Sequence, residues 1–273
     1  MDCASSGESQ DTAPYLSVAI AAYNEAQRLP PALERALAFL ETMSRPFEVV
    51  VCDDGSTDDT AAVVTRYASR GVKLLRADRN RGKGAALRAA VLASRGRYVL
   101  FSDADFSTPI DELPRLLEPL EHEQAEIAIG SRIQPDRSDM RATQPFYRRL
   151  FGGLFHLLVV SLVIRGIADT QAGFKAFTGD VARSLFAAIK LPSIVFDVEL
   201  LHLAQKRGYR VVEVPVRWTN AGGSRMRVTP GHAVRVLWDV LRIRGLHRGQ
   251  QPAPPRQPAA NRCHQPGKAA GRS

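Results

Sequence analysis

Apolar and polar positions change period in a regular way along the first half of the chain. Leu16 to Ala21 is a short apolar and β-branched run, the pattern of a strand. In Pro30 to Met43 the apolar residues Leu33, Leu37 and Leu40 recur at helical spacing, with proline early, where a first helical turn tolerates it. The same alternation continues. Phe47–Cys52, Val72–Leu75, Tyr98–Ser102 and Ile127–Gly130 read as strands. Thr57–Arg70, Gly84–Ser94 and Ile110–Leu120 read as helices, the first with Asp58 and Asp59 suited to its N-terminal end. Apolar strands alternating with amphipathic helices predict βαβ units, and so an α/β fold with a mostly parallel sheet and helices on both faces.

After Ser131 the period changes. A basic polar loop (Arg132 to Arg141) leads into Pro145–Ile164, whose apolar part, Leu150–Ile164, is preceded by Arg148 and Arg149. Further on come the segment Asp169–Phe177, helices near Asp180–Ile189 and Phe196–Arg207, a strand over Tyr209–Val216, a Gly-rich loop (Ala221–Ser224) and a last helix over Pro230–Arg244. Residues 1–14 and 247–273 hold too few large apolar side chains to offset the entropy of ordering, and are expected to be disordered. The expectation is therefore one domain over residues 15–246. Its first half (15–130) carries the repeated strand–helix units and its second (131–246) completes the same domain.

Composition narrows the partners. Of 273 residues, 45% are hydrophobic and 24% charged, which excludes a wholly disordered or collagen-like chain. Lysine and arginine outnumber the acids by 37 to 28, a net charge of +9 that favours anionic partners. No recognised nucleic-acid motif accompanies that charge, so nucleic acid is not an expected partner. Cys3, Cys52 and Cys263 are too scattered for a metal site or a disulfide framework, and the six histidines are equally dispersed. No stretch reaches the ~20 apolar residues of a membrane span. Leu150–Ile164 is short enough for an interfacial helix or a buried core helix, and seven basic but no acidic residues follow Asp239, a pattern attractive to an anionic leaflet.

In open parallel sheets ligands bind at the C-terminal ends of the strands, and polar clusters stand there in this sequence. They are Ala22-Tyr23-Asn24-Glu25, Asp53-Asp54-Gly55-Ser56, Asn80-Arg81-Gly82-Lys83-Gly84 and Asp103-Ala104-Asp105. Residues i and i+2 of an extended segment point the same way, so Asp103 and Asp105 form a carboxylate pair suited to a divalent cation. Two solvated acids in a turn would look the same. The Asn80–Gly84 loop has the composition of a phosphate cradle, with Lys83 as a point charge, although a tight turn before a helix also uses glycine. Asp53 and Asp54 are placed to hold a base or ribose, or to cap a helix. Tyr23 either covers the base or is a core tyrosine.

Together these stretches carry a resemblance. SVAIAAYNEAQRL, VVVCDDGSTDDT, NRGKGAALRAA and FSDADFSTP resemble the nucleotide-binding half of glycosyltransferase family 2, which has the GT-A fold. IAIGSR, DTQAGFKAF, FDVELL, VPVRW and GSRMRV resemble its dolichyl- and polyprenyl-phosphate glucosyl- or mannosyltransferase branch, and DADFSTP with DTQAGFK is most similar to the dolichyl-phosphate β-glucosyltransferase type. The resemblance implies inverting transfer from a nucleotide-diphosphate sugar, with UDP-glucose expected first and GDP-mannose second, to a polyprenyl phosphate. Ala22, Tyr23, Glu25 and Asp53 would line the nucleotide pocket, with Asp54, Lys83 and Ala104 beside it. Asp103 and Asp105 would hold Mg²⁺ or Mn²⁺ on the diphosphate, and Ser107 stands where relatives often place another polar group. Arg132, Arg148, Arg149 and Arg225 would receive the acceptor phosphate, with Arg227 near them. Asp169 would orient the site, or act as base if the acceptor were a hydroxyl. Asp197 and Glu199 are either structural or face the sugar. The expected location is cytoplasmic and peripheral, on the inner face of an anionic membrane.

Overall fold

Strands with apolar residues at successive positions must be covered on both faces, and the central strands of this chain are mostly of this kind. The computed structural model describes residues 13–134, 136, 163–164, 166–219 and 230–249. Its strands are β1 (Leu16–Ala22), β2 (Phe47–Asp53), β3 (Val72–Arg76), β4 (Tyr98–Asp103), β5 (Ile127–Ser131), β6 (Phe174–Thr178) and β7 (Val211–Pro215). Its helices are α1 (Leu29–Thr42), α2 (Thr60–Thr65), α3 (Lys83–Leu92), α4 (Leu113–Glu121), α5 (Gly179–Ala188), α6 (Phe196–Lys206) and α7 (Pro230–Leu246).

The strands form one sheet in the order β3-β2-β1-β4-β6-β5-β7. Its strands run parallel except β6, which is antiparallel to both β4 and β5. On one face Val18, Ile20 and Leu100 pack with Leu33, Leu37 and Leu40 of α1 and Leu116, Leu117 and Leu120 of α4. On the other, Ala19, Val50 and Phe101 pack against α3, α5, α6 and α7. Phe101, Phe177, Phe186 and Phe196 meet there with ring centroids about 6 Å apart.

The expected helix over Thr57–Arg70 is shorter than predicted, because its polar start is used elsewhere. Asp58 accepts from the amides of Ala26 and Thr60, and Thr57 N donates to Asn24, so residues 57–59 bridge two loops before α2 begins. Likewise α4 begins only at Leu113, after a 3-10 turn over Ile110–Glu112. The segment Asp169–Phe177, for which the pattern predicts no element, ends in the reversed strand β6. Cys52 is buried, and burial pushes its thiol up to about 11, with Asp54 and Asp53 adding to the effect, so it is unreactive.

At the edge opposite the polar clusters a single acid ties three strands together. Glu48, on β2, accepts from Ser17 Oγ at 2.6 Å, Lys73 Nζ at 2.7 Å and the Arg95 amide at 2.7 Å. Burial pushes this carboxyl up, but those hydrogen bonds, led by Lys73 and Ser17, outweigh it and hold the group below its ordinary range. A carboxylate lowered on folding stabilises above its unfolded pKa, and that contribution is lost as pH falls through the folded value. Glu48→Gln is therefore expected to cost about 2 kcal/mol in urea unfolding at pH 7. The difference from the parent should shrink as pH falls below about 4. A difference independent of pH would show that the charge contributes nothing.

Candidate active site

The strand order reverses at β1, whose neighbours are β2 on one side and β4 on the other. In an open α/β sheet this is the switch point at which a crevice opens beyond the carboxyl ends of the strands. Register places Ala22 beside Asp53 and Ala21 beside Asp103, so the first, second and fourth expected clusters share one edge. The loops there are held by a dense set of bonds. Asn24 N donates to Ser56 Oγ at 2.8 Å, Glu25 N to Thr60 Oγ1 at 2.8 Å, and Ser56 N to Asp53 Oδ1 at 2.9 Å. Asn24 and Phe106 adopt left-handed backbone, with φ of 56° and 45°. For a residue as bulky as Phe106 that is strained, and such strain clusters at functional sites.

Asp53 is fully buried, and its Oδ2 has no hydrogen-bond partner among the described residues; the nearest cation is the Arg76 guanidinium, 3.7 Å away. A buried acceptor left open in this way is costly unless a donor arrives. Asp54 is committed differently: Oδ1 accepts from the Arg81 amide and Oδ2 from the Gly82 amide, both at 2.8 Å. Gly84 N donates to Pro192 O at 2.9 Å. The expected phosphate cradle is therefore corrected. Three of its amides are already bound to protein acceptors, and what the loop offers the site is the Lys83 ammonium.

That ammonium lies 2.6 Å from Asp103 Oδ1. Burial pushes Lys83 down, but the carboxylates of Asp103, Asp197 and Asp105 more than reverse this, so the group stays protonated. Both expected ligand carboxylates thus lie close to one cation. Asp103 and Asp105 are partly exposed while Ala104 between them is buried. Asp105 Oδ1 accepts from Ser107 N at 3.0 Å and Ser107 Oγ at 2.9 Å, which orients the second carboxylate. Beside Asp105 opens a groove of about 430 Å³, walled by Ala32, Ala36 and Phe39 of α1 and by Phe106 and Ile110. Glu25 is paired with Arg28, and Tyr23, 39% exposed, is not a core tyrosine.

Asp169 and Arg132, expected in separate roles, form one unit. Arg132 Nε donates to Asp169 Oδ2 at 2.8 Å, its Nη2 to Oδ1 at 2.6 Å, and its backbone amide to Oδ2 at 3.0 Å. A carboxylate held on both oxygens by a guanidinium fork is a positioning group, which is the orienting alternative for Asp169 rather than the base. The Arg132 guanidinium stands 5.8 Å from the Trp218 ring centroid. Arg148, Arg149, Arg225 and Arg227 lie outside the described residues, as do residues 145–162 of the expected interfacial segment.

Below the acids lies a layer in which Asp197 and Glu199 are expected as structural or sugar-facing residues, while Lys175 carries no expectation. Lys175, fully buried on β6, donates to Asp197 Oδ1 at 2.7 Å and to Ala172 O at 2.6 Å, with its ammonium 5.0 Å from the Phe101 ring. Burial pushes Lys175 down, and Asp197 restores it only in part. Glu199 is structural: it accepts from the amides of Lys190 and Leu191 and lies 2.6 Å from His247 Nε2. A charged letter inside an apolar strand, as in Phe174-Lys175-Ala176-Phe177, is the sequence signal for such a buried pair.

The model of Glycosyl transferase family 2 matches residues 17–179. A dolichyl-phosphate beta-glucosyltransferase of Dictyostelium discoideum is 39% identical over 242 residues, 84% of this chain and 74% of that protein. One of Drosophila melanogaster is 43% identical over 225 residues, 77% of this chain and 69% of that protein. Glucosyl-3-phosphoglycerate synthase from Mycobacterium tuberculosis, solved with Mn²⁺ and UDP-glucose, superposes with a TM-score of 0.56 at 21% identity, covering 84% of this chain and 77% of that one. A mostly parallel sheet flanked by helices on both faces is the GT-A arrangement, and with the family match running from β1 to the end of β6 the chain belongs to glycosyltransferase family 2.

Proposed function

We propose that the enzyme transfers glucose, with inversion, from UDP-glucose to a polyprenyl phosphate such as dolichyl phosphate, at the cytoplasmic face of a membrane. The observation that carries the reading is the juxtaposition at one sheet edge of Asp53, with an open buried acceptor oxygen, and the Asp103–Asp105 pair. Relatives named for this reaction at up to 43% identity support the choice of sugar and acceptor.

In this reading Asp53 Oδ2 accepts a donor of the base or ribose, while Ala22, Tyr23 and Glu25 line the same pocket. Asp103 and Asp105 hold the divalent ion. The residues fit such an ion: Asp103 ends β4 and Asp105 lies in the turn directly after it, both partly exposed, and Asp103 Oδ1 already binds a cation, the Lys83 ammonium. Mg²⁺ typically takes one or two carboxylates and completes its shell with water and substrate phosphates. When bound it supplies charge neutralisation for the departing diphosphate. Lys83 adds positive charge at the same place. The acceptor phosphate oxygen forms the new bond to the anomeric carbon from the opposite face, and the bond to UDP breaks with its electron pair leaving on the diphosphate. An acceptor that is already anionic needs no base, which agrees with Asp169 being engaged on both oxygens. In this reading Arg132, held by Asp169, receives the acceptor phosphate.

Membrane contact in this proposal runs through α7. Val234, Leu237, Trp238 and Leu241 form a helical stripe on α7 and are exposed, Trp238 to 63%. Exposed Arg235, Arg242, Arg244 and Arg248 accompany it, while Asp239, Val240, Ile243 and His247 face inward. No helix among the described residues is long and apolar enough to cross a membrane. Apolar and basic side chains on one exposed helix suit an anionic lipid surface.

Incubation with radiolabelled UDP-glucose, Mn²⁺ and polyprenyl phosphate tests the chemistry. Label in the organic phase is the expected result, and label in a water-soluble product would assign a hydroxyl acceptor instead. For the surface, Leu237→Asp with Trp238→Ala is expected to weaken flotation with phosphatidylglycerol vesicles by about tenfold or more, since each buried apolar side chain contributes ~2 kcal/mol. Unchanged flotation would remove α7 from the contact.

A further inference from the structure

The motif DTQAGFK contains a glycine that none of the roles above uses. Gly173 directly precedes β6, and its carbonyl accepts the Asp103 amide at 3.1 Å. A Cβ built on Gly173 would stand 2.0 Å from Asp103 Oδ2, 2.5 Å from its Cγ and 2.9 Å from its Oδ1. The three nearest atoms all belong to one carboxylate.

Other tightly packed glycines among the described residues differ. Gly55 and Gly82 combine positive φ with backbone atoms at 2.5 Å, and Gly96 meets the Ser17 amide at 2.5 Å. Backbone cannot step aside, so those positions need glycine for the fold. Gly173 is not among the residues with positive φ, so alanine there does not meet the left-handed backbone found at Gly55 and Gly82. Its obstacle is the free end of a side chain, which can rotate away. Doing so would draw the Asp103 carboxylate off its 2.6 Å contact with Lys83 and out of the orientation it now holds.

We infer that Gly173 is a positioning residue for Asp103: its missing side chain is the space in which the carboxylate lies, fixed by Lys83 at Oδ1 and by the bare Cα at Oδ2. The inference rests on the reading of Asp103 as a ligand of the divalent ion. It separates two demands that glycine usually serves together, because here the site requires it and the backbone does not.

The test measures Mn²⁺ binding to the full chain in the presence of UDP, from the electron paramagnetic resonance signal of the free ion, with thermal unfolding alongside. Gly173→Ala is expected to stay folded, with a melting temperature within about 3 °C of the parent. It should bind Mn²⁺ about 10- to 100-fold more weakly, the usual range when the support of a metal ligand is lost. Asp103→Asn is the reference. If Asp103→Asn loses Mn²⁺ while Gly173→Ala binds like the parent, the inference fails and the ligand reading stands. If Asp103→Asn itself binds like the parent, the ligand reading fails. A second measurement covers a Gly173→Ala protein that is unstable. In an Asp103→Ala background the clash has no partner, so adding Gly173→Ala should leave the melting temperature unchanged. A loss that persists there would assign Gly173 to the fold and overturn the inference.

Discussion

Asp105→Asn is expected to reduce glucosyl transfer by on the order of 10³-fold, the largest effect of any single change proposed for this chain. The amide can still accept from Ser107 N and Oγ, so the loop after β4 keeps its shape while the negative charge disappears. Asp105 is partly exposed and is hydrogen-bonded to Ser107 within its own loop, so unfolding should be nearly unaffected. The measurement is the initial rate at saturating UDP-glucose and Mn²⁺, with circular dichroism to show that the fold is retained. A rate within a factor of a few of the parent would remove Asp105 from the chemistry. It would also undo the assignment of the carboxylate pair.

The second large effect is on stability. Lys175→Met leaves buried Asp197 without the cation hydrogen-bonded to it, and breaking a buried pair from one side typically costs about 3–5 kcal/mol. For a domain of this size that corresponds to a fall of about 10 °C in melting temperature. The double variant Lys175→Met, Asp197→Leu removes both charges and should recover much of the loss, because well-packed apolar side chains of similar volume replace a buried pair at little cost. Urea unfolding of the two single variants and the double variant gives the coupling directly. A coupling near zero would show that the 2.7 Å contact is not what stabilises this layer.

The strands were the most legible part of the chain because a strand covered on both faces declares itself as an apolar run. Phe47–Asp53 and Tyr98–Asp103 stand where the pattern predicts them. Helix starts were less legible wherever polar side chains had other partners, as at Thr57–Asp59. The site was readable at the level of which loops meet, since strand order and polar clusters suffice for that. What each group does there was not. Whether Asp54 faces a ligand or a neighbouring amide, and whether Asp169 is open or clasped by Arg132, depends on approaches between residues 27 and 37 positions apart. Local pattern does not encode such approaches. Lys175 and Glu48 left a clearer trace, each a charged residue set inside an apolar strand.

The reversed direction of β6 changes where mutational sensitivity falls. Along the neighbouring parallel strands the reacting edge lies downstream, so tolerance to substitution should decline toward the last residue and the turn beyond it. For β6 the gradient is inverted. Its opening residues and the turn before them adjoin Asp103, while Thr178 pairs with Tyr98 at the far edge. An insertion just ahead of Phe174 would disturb catalysis directly, and one of equal length just past Thr178 would enter the molecule on the side away from it.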